Sequence, residues 1–285
     1  MATSPTVRQR ELGKRLRELR NQHGLTVEEV ADKLLCSATK ISRLETGARR
    51  PSFRDVRDLC ELYGLDEPTS TEFMSLAREA RQRVWWTQYE DLKMDPYLGL
   101  EAAAAAITSY TMYYIPALLQ TEEYTKEIIR TIAPKMDPHI LRERVQARMR
   151  RQQRLDDDDP PRYRVLLDEA VLHRAVGGPA IMAAQLDKVL QAERRGKVTV
   201  QVVSFDFGAH AAQDSNFILF EFADNTNQSP VVSLEGLTGM QYLEKPADIT
   251  RYREAIECLR DSALSPRDSI ALVAEKQRAY ANRGD

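Results

Sequence analysis

LTVEEVADKLLCSATKISRLETGARRPS, residues 25–52, reads as two short helices joined by a tight turn. Thr26 and Glu29 stand at capping-box spacing ahead of Val27, Val30, Ala31 and Leu34, a pattern that puts one helix face into a core. Cys36 follows as the apolar residue of the turn. Ser37 caps a second helix in which Ile41 and Leu44 face inward, while Ala38, Thr39, Lys40, Ser42 and Arg43 face outward. Gly47 is placed to end it. The outward residues are short, polar or basic, which suits a helix laid in a DNA major groove with its first turn against base edges. A bulky apolar face would instead predict a partner helix.

The flanking sequence completes a five-helix domain. Arg8 to Gln22 carries Leu12, Leu16 and Leu19 on one face, with Gly24 as its terminator. Pro51 and Ser52 open a fourth helix, with Ser52 and Asp55 as its capping box and Val56, Leu59, Cys60 and Tyr63 as its buried side. Pro68 to Arg83 is predicted as the fifth, carrying Phe73, Leu76 and Ala80. Through TxxExA, the turn, SxxxISxxExG and RRPS, the first seventy or so residues resemble phage Cro and repressor domains and the xenobiotic-response-element class of bacterial regulators. That resemblance implies a structural ion pair, because the acid at the Glu45 position in such domains is bridged to an arginine late in the first helix, here Arg20. Otherwise either residue is a surface charge worth little.

Charge fits a nucleic-acid partner. Residues 8–57 hold thirteen Lys and Arg against seven Asp and Glu, in a chain whose overall formal charge is -2. Arg49 and Arg50, with Ser37 and Ser52 at the helix starts, are expected at backbone phosphates, where they add affinity rather than sequence choice. Lys40 and Arg43 are long enough to reach guanine O6 and N7, and Ala38 and Thr39 offer a methyl or hydroxyl to a base edge. Ser42 completes the readout set. A solvated helix face is the alternative for each.

The 285 residues are too many for one such domain. The N-terminus lacks the apolar segment of a signal peptide, and the longest apolar run, Ala102 to Ile107, is too short to span a bilayer. A cytoplasmic protein, nucleoid-associated when on DNA, is the expectation. Cys36, Cys60 and Cys258 sit singly at core-type positions, so reduced, buried thiols are expected, with no disulfide framework, metal site or cofactor. Trp85 and Trp86 occupy a turn-rich connection in which Asp95 and Pro96 precede a new helix. They are candidates for domain docking, with ligand stacking or a dimer seam as alternatives.

From Leu98 to Arg154 the chain reads as helical. The basic stretch HILRERVQARMRRQQR keeps Leu141, Val145, Met149 and Leu155 as a core stripe, and DDDD at 156–159 offsets its charge, so a salt-bridged or solvated helix is expected rather than a second nucleic-acid site. From Arg162 the period switches to strands, RYRVLLDE, KVTVQVVSF, NFILFEF and VVSLEG. A helix from Pro179 to Arg195 between the first two predicts a parallel pair, with hairpin connections later. Helices return at Asp248–Arg260 and Pro266–Ala281. The fold class is mainly α with an α+β portion: residues 1–83 a helix-turn-helix domain, 84–161 a linker and helical region, and 162–285 an α/β part around a small mixed sheet.

WW, IPALLQTEEY (115–124), RMRRQ (148–152), LDEAVLHRAVGGP (167–179), QL (185–186), VTVQVVSF (198–205) and ALSP with Ser269 together resemble the C-terminal domain of a large group of actinobacterial regulators. In those proteins a Cro-type helix-turn-helix precedes a domain of unassigned role, and several resemble antitoxins encoded beside a small partner protein. Ala117 stands where the resemblance leads one to expect glycine. The implied function is a sequence-specific transcriptional regulator, a dimeric repressor whose C-terminal domain receives a small protein partner. A small-molecule sensor is the alternative. An enzyme on a DNA tether is a third reading, in which Asp168, Glu169 and His173 would be acid-base groups or ligands and GGP at 177–179 a phosphate turn. That set lacks a ligand cluster, a P-loop lysine and a nucleophile with its base at a recognisable spacing, so a satisfied polar network is expected instead. His23, His139 and His210 read as isolated.

Overall fold

A computed structural model describes residues 4–89, 96–224, 228–237 and 239–283. Among these residues the first part is five helices. The first, α1, spans Pro5–Gln22, three residues longer at its start than expected because the Ser4 side chain caps it. It stops at His23, and Gly24 takes φ +67°. Helix α2 is Val27–Lys33, with both halves of the Thr26–Glu29 capping box made. Helix α3 is Ala38–Glu45, α4 is Phe53–Leu62, and α5 is Glu67–Glu79, capped by Asp66 and ending before Arg83. Leu12, Leu16, Val30, Ile41, Val56 and Phe73 meet in one core, each worth about 1.5–3 kcal/mol on full burial.

Two backbone details bear on how α3 is seated, one against α1 and one in the turn from α2. Gly13, in mid-helix, is where α1 runs closest to α3: a Cβ there would lie 2.5 Å from the Leu44 carbonyl oxygen and 2.7 Å from that of Glu45. The α2–α3 turn carries Leu35 at φ 50°, a left-handed conformation unfavourable to a branched side chain, and its side chain is exposed.

Contacts divide the chain into two units, Met1–Ala103 with Ala223–Gln228, and Ala104–Phe222 with Ser229–Asp285. The expected boundary at residue 83 is therefore not where the contacts part. Helix α6, Pro96–Ala103, packs on α1, with Gly99 against the Thr6 side chain. Asp95, expected to lead into α6, lies outside the described residues.

The second unit is built on a six-stranded sheet of order β3-β2-β1-β4-β5-β6 among the described residues. These strands are β1 Ala106–Thr111, β2 Arg162–Asp168, β3 Thr199–Val203, β4 Phe217–Glu221, β5 Val231–Gly236 and β6 Gly239–Leu243. The β2–β3 pair is parallel, as the intervening helix α10 (Pro179–Arg194) predicts. The later strands run antiparallel. The fully helical reading of 98–154 needs correction: the alanine run leaves the helix at Ala103, and Ala106–Thr111 is a buried inner strand between β2 and β4. Pairing on both edges overrides alanine's helix preference. Strand β6 escaped prediction because it is a mostly exposed edge without apolar alternation.

The remaining helices are α7 (Glu122–Ile132), α8 (Pro138–Gln152), the short α9 (Ala170–His173), α11 (Pro246–Ser262) and α12 (Pro266–Ala281). Ile249, Ile256 and Leu259 of α11 cover a sheet face bearing Tyr110, Leu166 and Leu219. Helix α12 packs on β3 and α10.

Gly13→Ala is expected to destabilise the first unit by about 1–3 kcal/mol, as overpacking does, although alanine is the better helix former by about 1 kcal/mol. Thermal unfolding measures the balance. A midpoint at or above that of the wild type would contradict the close α1–α3 approach.

Candidate nucleic-acid interface

Helix α3 is held from below and left open above. Ile41 and Leu44 are buried, Thr39, Ser42 and Arg43 are exposed, and Ala38 is half-buried against the core. Glu45 ends the helix inside the domain. Arg20 Nε donates to Glu45 Oε1 at 2.7 Å and Nη2 to Oε2 at 3.0 Å, while Nη1 donates to the Leu25 carbonyl at 2.8 Å. With side-chain exposures of 11% and 5%, this is an enclosed bidentate pair, not a surface one. The Glu45 bond raises the Arg20 pKa. It also ties the end of α1 to the end of α3 and to Leu25, the residue before the α2 cap. Beneath it, burial first and the Glu45 carboxylate second push the Tyr63 phenol up to about 12, against the pull of Arg20.

Lys40 does not sit among free readout groups. Its Nζ donates to Asp55 Oδ1 at 2.5 Å, bracing α3 against the first turn of α4. Asp55 lies below the usual carboxylate range: its burial acts the other way, but Lys40 and the Ser52 hydroxyl and amide outweigh it. Ser37 and Ser52 accept the Lys40 and Asp55 amides at 3.2 and 3.0 Å. The Ser37 hydroxyl hydrogen remains able to donate outward, whereas the Ser52 hydroxyl also serves Asp55. Thr39, Ser42 and Arg43 thus form the open face of α3, and Lys40 reaches DNA only by exchanging Asp55 for it.

Arg49 and Arg50 are exposed in the turn before α4, which is fixed from three sides. The Arg49 amide donates to the Arg43 carbonyl at 2.9 Å, Arg81 Nη1 to the Pro51 carbonyl at 3.1 Å, and Gln9 Nε2 to the Gly47 carbonyl at 2.7 Å. Arg50 lines a cleft of about 390 Å³ with Arg83, Thr87 and Gln88. The last two lie on the short 3-10 turn Trp85–Gln88. Trp86 is buried, and Trp85 meets it edge-on at 5.5 Å. The sequence reading did not include Arg83, Thr87 or Gln88. The signal for them was the basic end of the fifth helix running directly into two tryptophans.

In the second unit two of the three residues singled out for chemistry, Asp168 and Glu169, hold backbone amides. Asp168 Oδ1 accepts the Ala170 amide at 2.8 Å. Glu169 accepts the Phe205 amide at 3.0 Å and faces His173 Nε2 at 3.1 Å. Burial raises the Glu169 pKa, but these two partners carry it below the usual range. His210 is not isolated. The Ala212 amide donates to its Nδ1 at 3.3 Å, which leaves the ring proton on Nε2, facing the Tyr110 hydroxyl at 3.1 Å with Asp168 Oδ2 at 3.8 Å. Gly177, at φ +72°, would place a Cβ within 3 Å of the Ile181 and Glu127 side chains.

IPALLQTEEY, RMRRQ and QL converge on Gln120. It is fully buried, donates to the Ile115 carbonyl at 2.6 Å, and accepts from Thr125 and Arg148. Its carbonyl receives Gln152 at 2.7 Å and Lys188 at 2.8 Å. Gln185 bonds both Thr121 and Leu119. Ala117 begins a 3-10 turn, and among the described non-glycine residues only Leu35 has positive φ, so that turn does not demand glycine. Ser269 Oγ accepts the Val202 amide at 2.9 Å. Cys36 is half-buried and Cys60 buried, but Cys258 is exposed on α11, contrary to expectation. Among the described residues no group of three or more His, Cys, Asp or Glu is placed to hold a metal ion. Among them, too, no helix is long and apolar enough to cross a membrane.

A helix-turn-helix domain matches residues 11–73, and a family described as a domain of unknown function (DUF5753) matches residues 94–275. The chain belongs to the DUF5753 family. No curated protein and no solved structure matches it. With the helix-turn-helix match and the open face of α3, the DUF5753 chain is a DNA-binding regulator.

Arg20→Ala leaves the buried Glu45 carboxylate unpaired and is expected to cost about 3–5 kcal/mol, with Glu45→Ala in the same background recovering part of it. Unchanged chemical denaturation of Arg20→Ala would rule the anchor out. Because the Asp55 pKa is depressed in the folded state, its contribution is present above the ordinary carboxylate value and lost as pH falls through the depressed one. Asp55→Asn should therefore shrink the loss of stability on acidification. An acid limb as steep as that of the wild type contradicts this.

Proposed function

We propose that the chain is a sequence-specific transcriptional regulator of the xenobiotic-response-element class, acting as a dimeric repressor. The observation that carries this reading is the open face of α3, where Thr39, Ser42 and Arg43 are exposed on a helix locked to the domain at both ends by Arg20–Glu45 and Lys40–Asp55. A rigid helix with a short polar face can lie deep in a major groove. Arg43 has the reach and donor geometry for guanine, and Thr39 suits a neighbouring base edge. Arg49, Arg50 and Arg83 supply sequence-independent attraction to phosphates. One such domain makes few base contacts, and two-fold pairing doubles them.

The second unit is read as regulatory rather than catalytic, since Asp168 and Glu169 hold backbone amides and the residues around Gln120 hold the fold. By its resemblance to actinobacterial, antitoxin-like regulators, it receives a small protein encoded nearby. Such control requires the partner to favour one state of the regulator, so DNA and partner must alter each other's affinity by the same factor.

Gel-shift titrations at several salt concentrations test the reading. Thr39→Ala and Arg43→Ala should each lose about 1–3 kcal/mol on the specific site alone, whereas Arg50→Ala and Arg83→Ala should weaken all sequences and flatten the salt slope by about one unit each. Equal losses on specific and random DNA for all four variants would overturn the assignment. Co-purification of the neighbouring gene product, with no effect on DNA affinity, would remove the partner mechanism.

A further inference from the structure

Arg162 and Arg164 stand two residues apart on β2 and project from one face of the sheet. The register places Ala106 beside Arg162 and Thr108 beside Arg164 on β1, Thr199 beside Arg164 on β3, and Glu221 beside Ala106 on β4. These residues line a cavity of about 570 Å³ in the second unit, walled by Pro160, Pro161 and the Gly196–Val198 turn. That volume lies within the small-molecule range of about 300–1,000 Å³.

The charge here is unbalanced. Arg164 Nε is buried with no hydrogen-bond partner. Burial first, then Arg260 and Arg162, hold its guanidinium below the usual arginine value, against the pull of Glu257. The nearby carboxylates are engaged elsewhere: Glu257 takes Arg260 at 2.6 Å, and Glu221 takes Arg253 at 2.6 Å. A buried guanidinium donor without an acceptor is costly, and an oxyanion is the partner whose geometry its fork matches.

We propose that this cavity binds a small phosphate-bearing molecule through Arg162 and Arg164, with the Thr108 and Thr199 hydroxyls as further donors. The exposed acidic run Asp156–Asp159 leads directly into the Pro160 wall. It repels a long polyanion such as nucleic acid more strongly than a compact one. The site makes no use of α3 and stands whether or not the DNA reading does.

The test is thermal unfolding and titration calorimetry of the full chain with inorganic phosphate and pyrophosphate, using succinate as the carboxylate comparison and sodium chloride to match ionic strength. Phosphate is expected to raise the unfolding temperature and succinate not to. Arg164→Met should unfold no lower than the wild type without ligand, because a strained charge is gone, yet lose the phosphate shift. Thr108→Val should bind phosphate about tenfold more weakly, a change of about 1.4 kcal/mol. Should Arg164→Met fail to fold, Thr108→Val decides alone. No phosphate shift in the wild type, an equal shift with succinate, or undiminished binding in Thr108→Val overturns the proposal. So does a folded Arg164→Met that is less stable than the wild type or keeps the shift.

Discussion

The first unit depends on the bidentate pair between Arg20 and Glu45. A carboxylate at the end of a helix meant for DNA would be repelled by phosphate if it faced outward. Turned inward and enclosed, it becomes a joint between the end of α1, the start of α2 and the end of α3. Gly13 allows that joint to close, because only a glycine lets α1 lie so near the Leu44 and Glu45 carbonyls. The Lys40–Asp55 pair then fixes the other end of α3 to α4. The open face of α3 is thus fixed in direction by two charge pairs and a core.

The first unit was legible because its signals are local. Caps at Thr26, Ser37 and Ser52, a period of apolar residues and a terminal glycine each act within a few residues, and all agree. The Arg20–Glu45 pair was legible through resemblance alone, since nothing local links residues 25 positions apart. The Lys40–Asp55 pair was not legible because an outward position on a helix wheel does not reveal an acid waiting on the next helix. Strand β1 was hidden by the alanines before it, and its identity is conferred by two neighbours that come much later in the chain. His210 looked solitary for the same reason: Tyr110 lies 100 residues away.

The second unit separates two kinds of distinctive residue. Gln120, Gln152, Gln185 and Ser269 satisfy buried backbone groups, so their motifs mark architecture. Arg164 does the reverse, since its Nε is buried without a hydrogen-bond partner.

The central claim is that α3 reads base edges in the major groove through Arg43. Methylation interference on a bound genomic site tests it most directly, because dimethyl sulfate marks guanine N7 in the major groove and adenine N3 in the minor groove. The account predicts that N7 methylation at one or two guanines per half-site blocks binding of the wild-type protein and no longer matters for Arg43→Ala. Binding blocked only by adenine N3 methylation, or guanine sensitivity unchanged in Arg43→Ala, would contradict it.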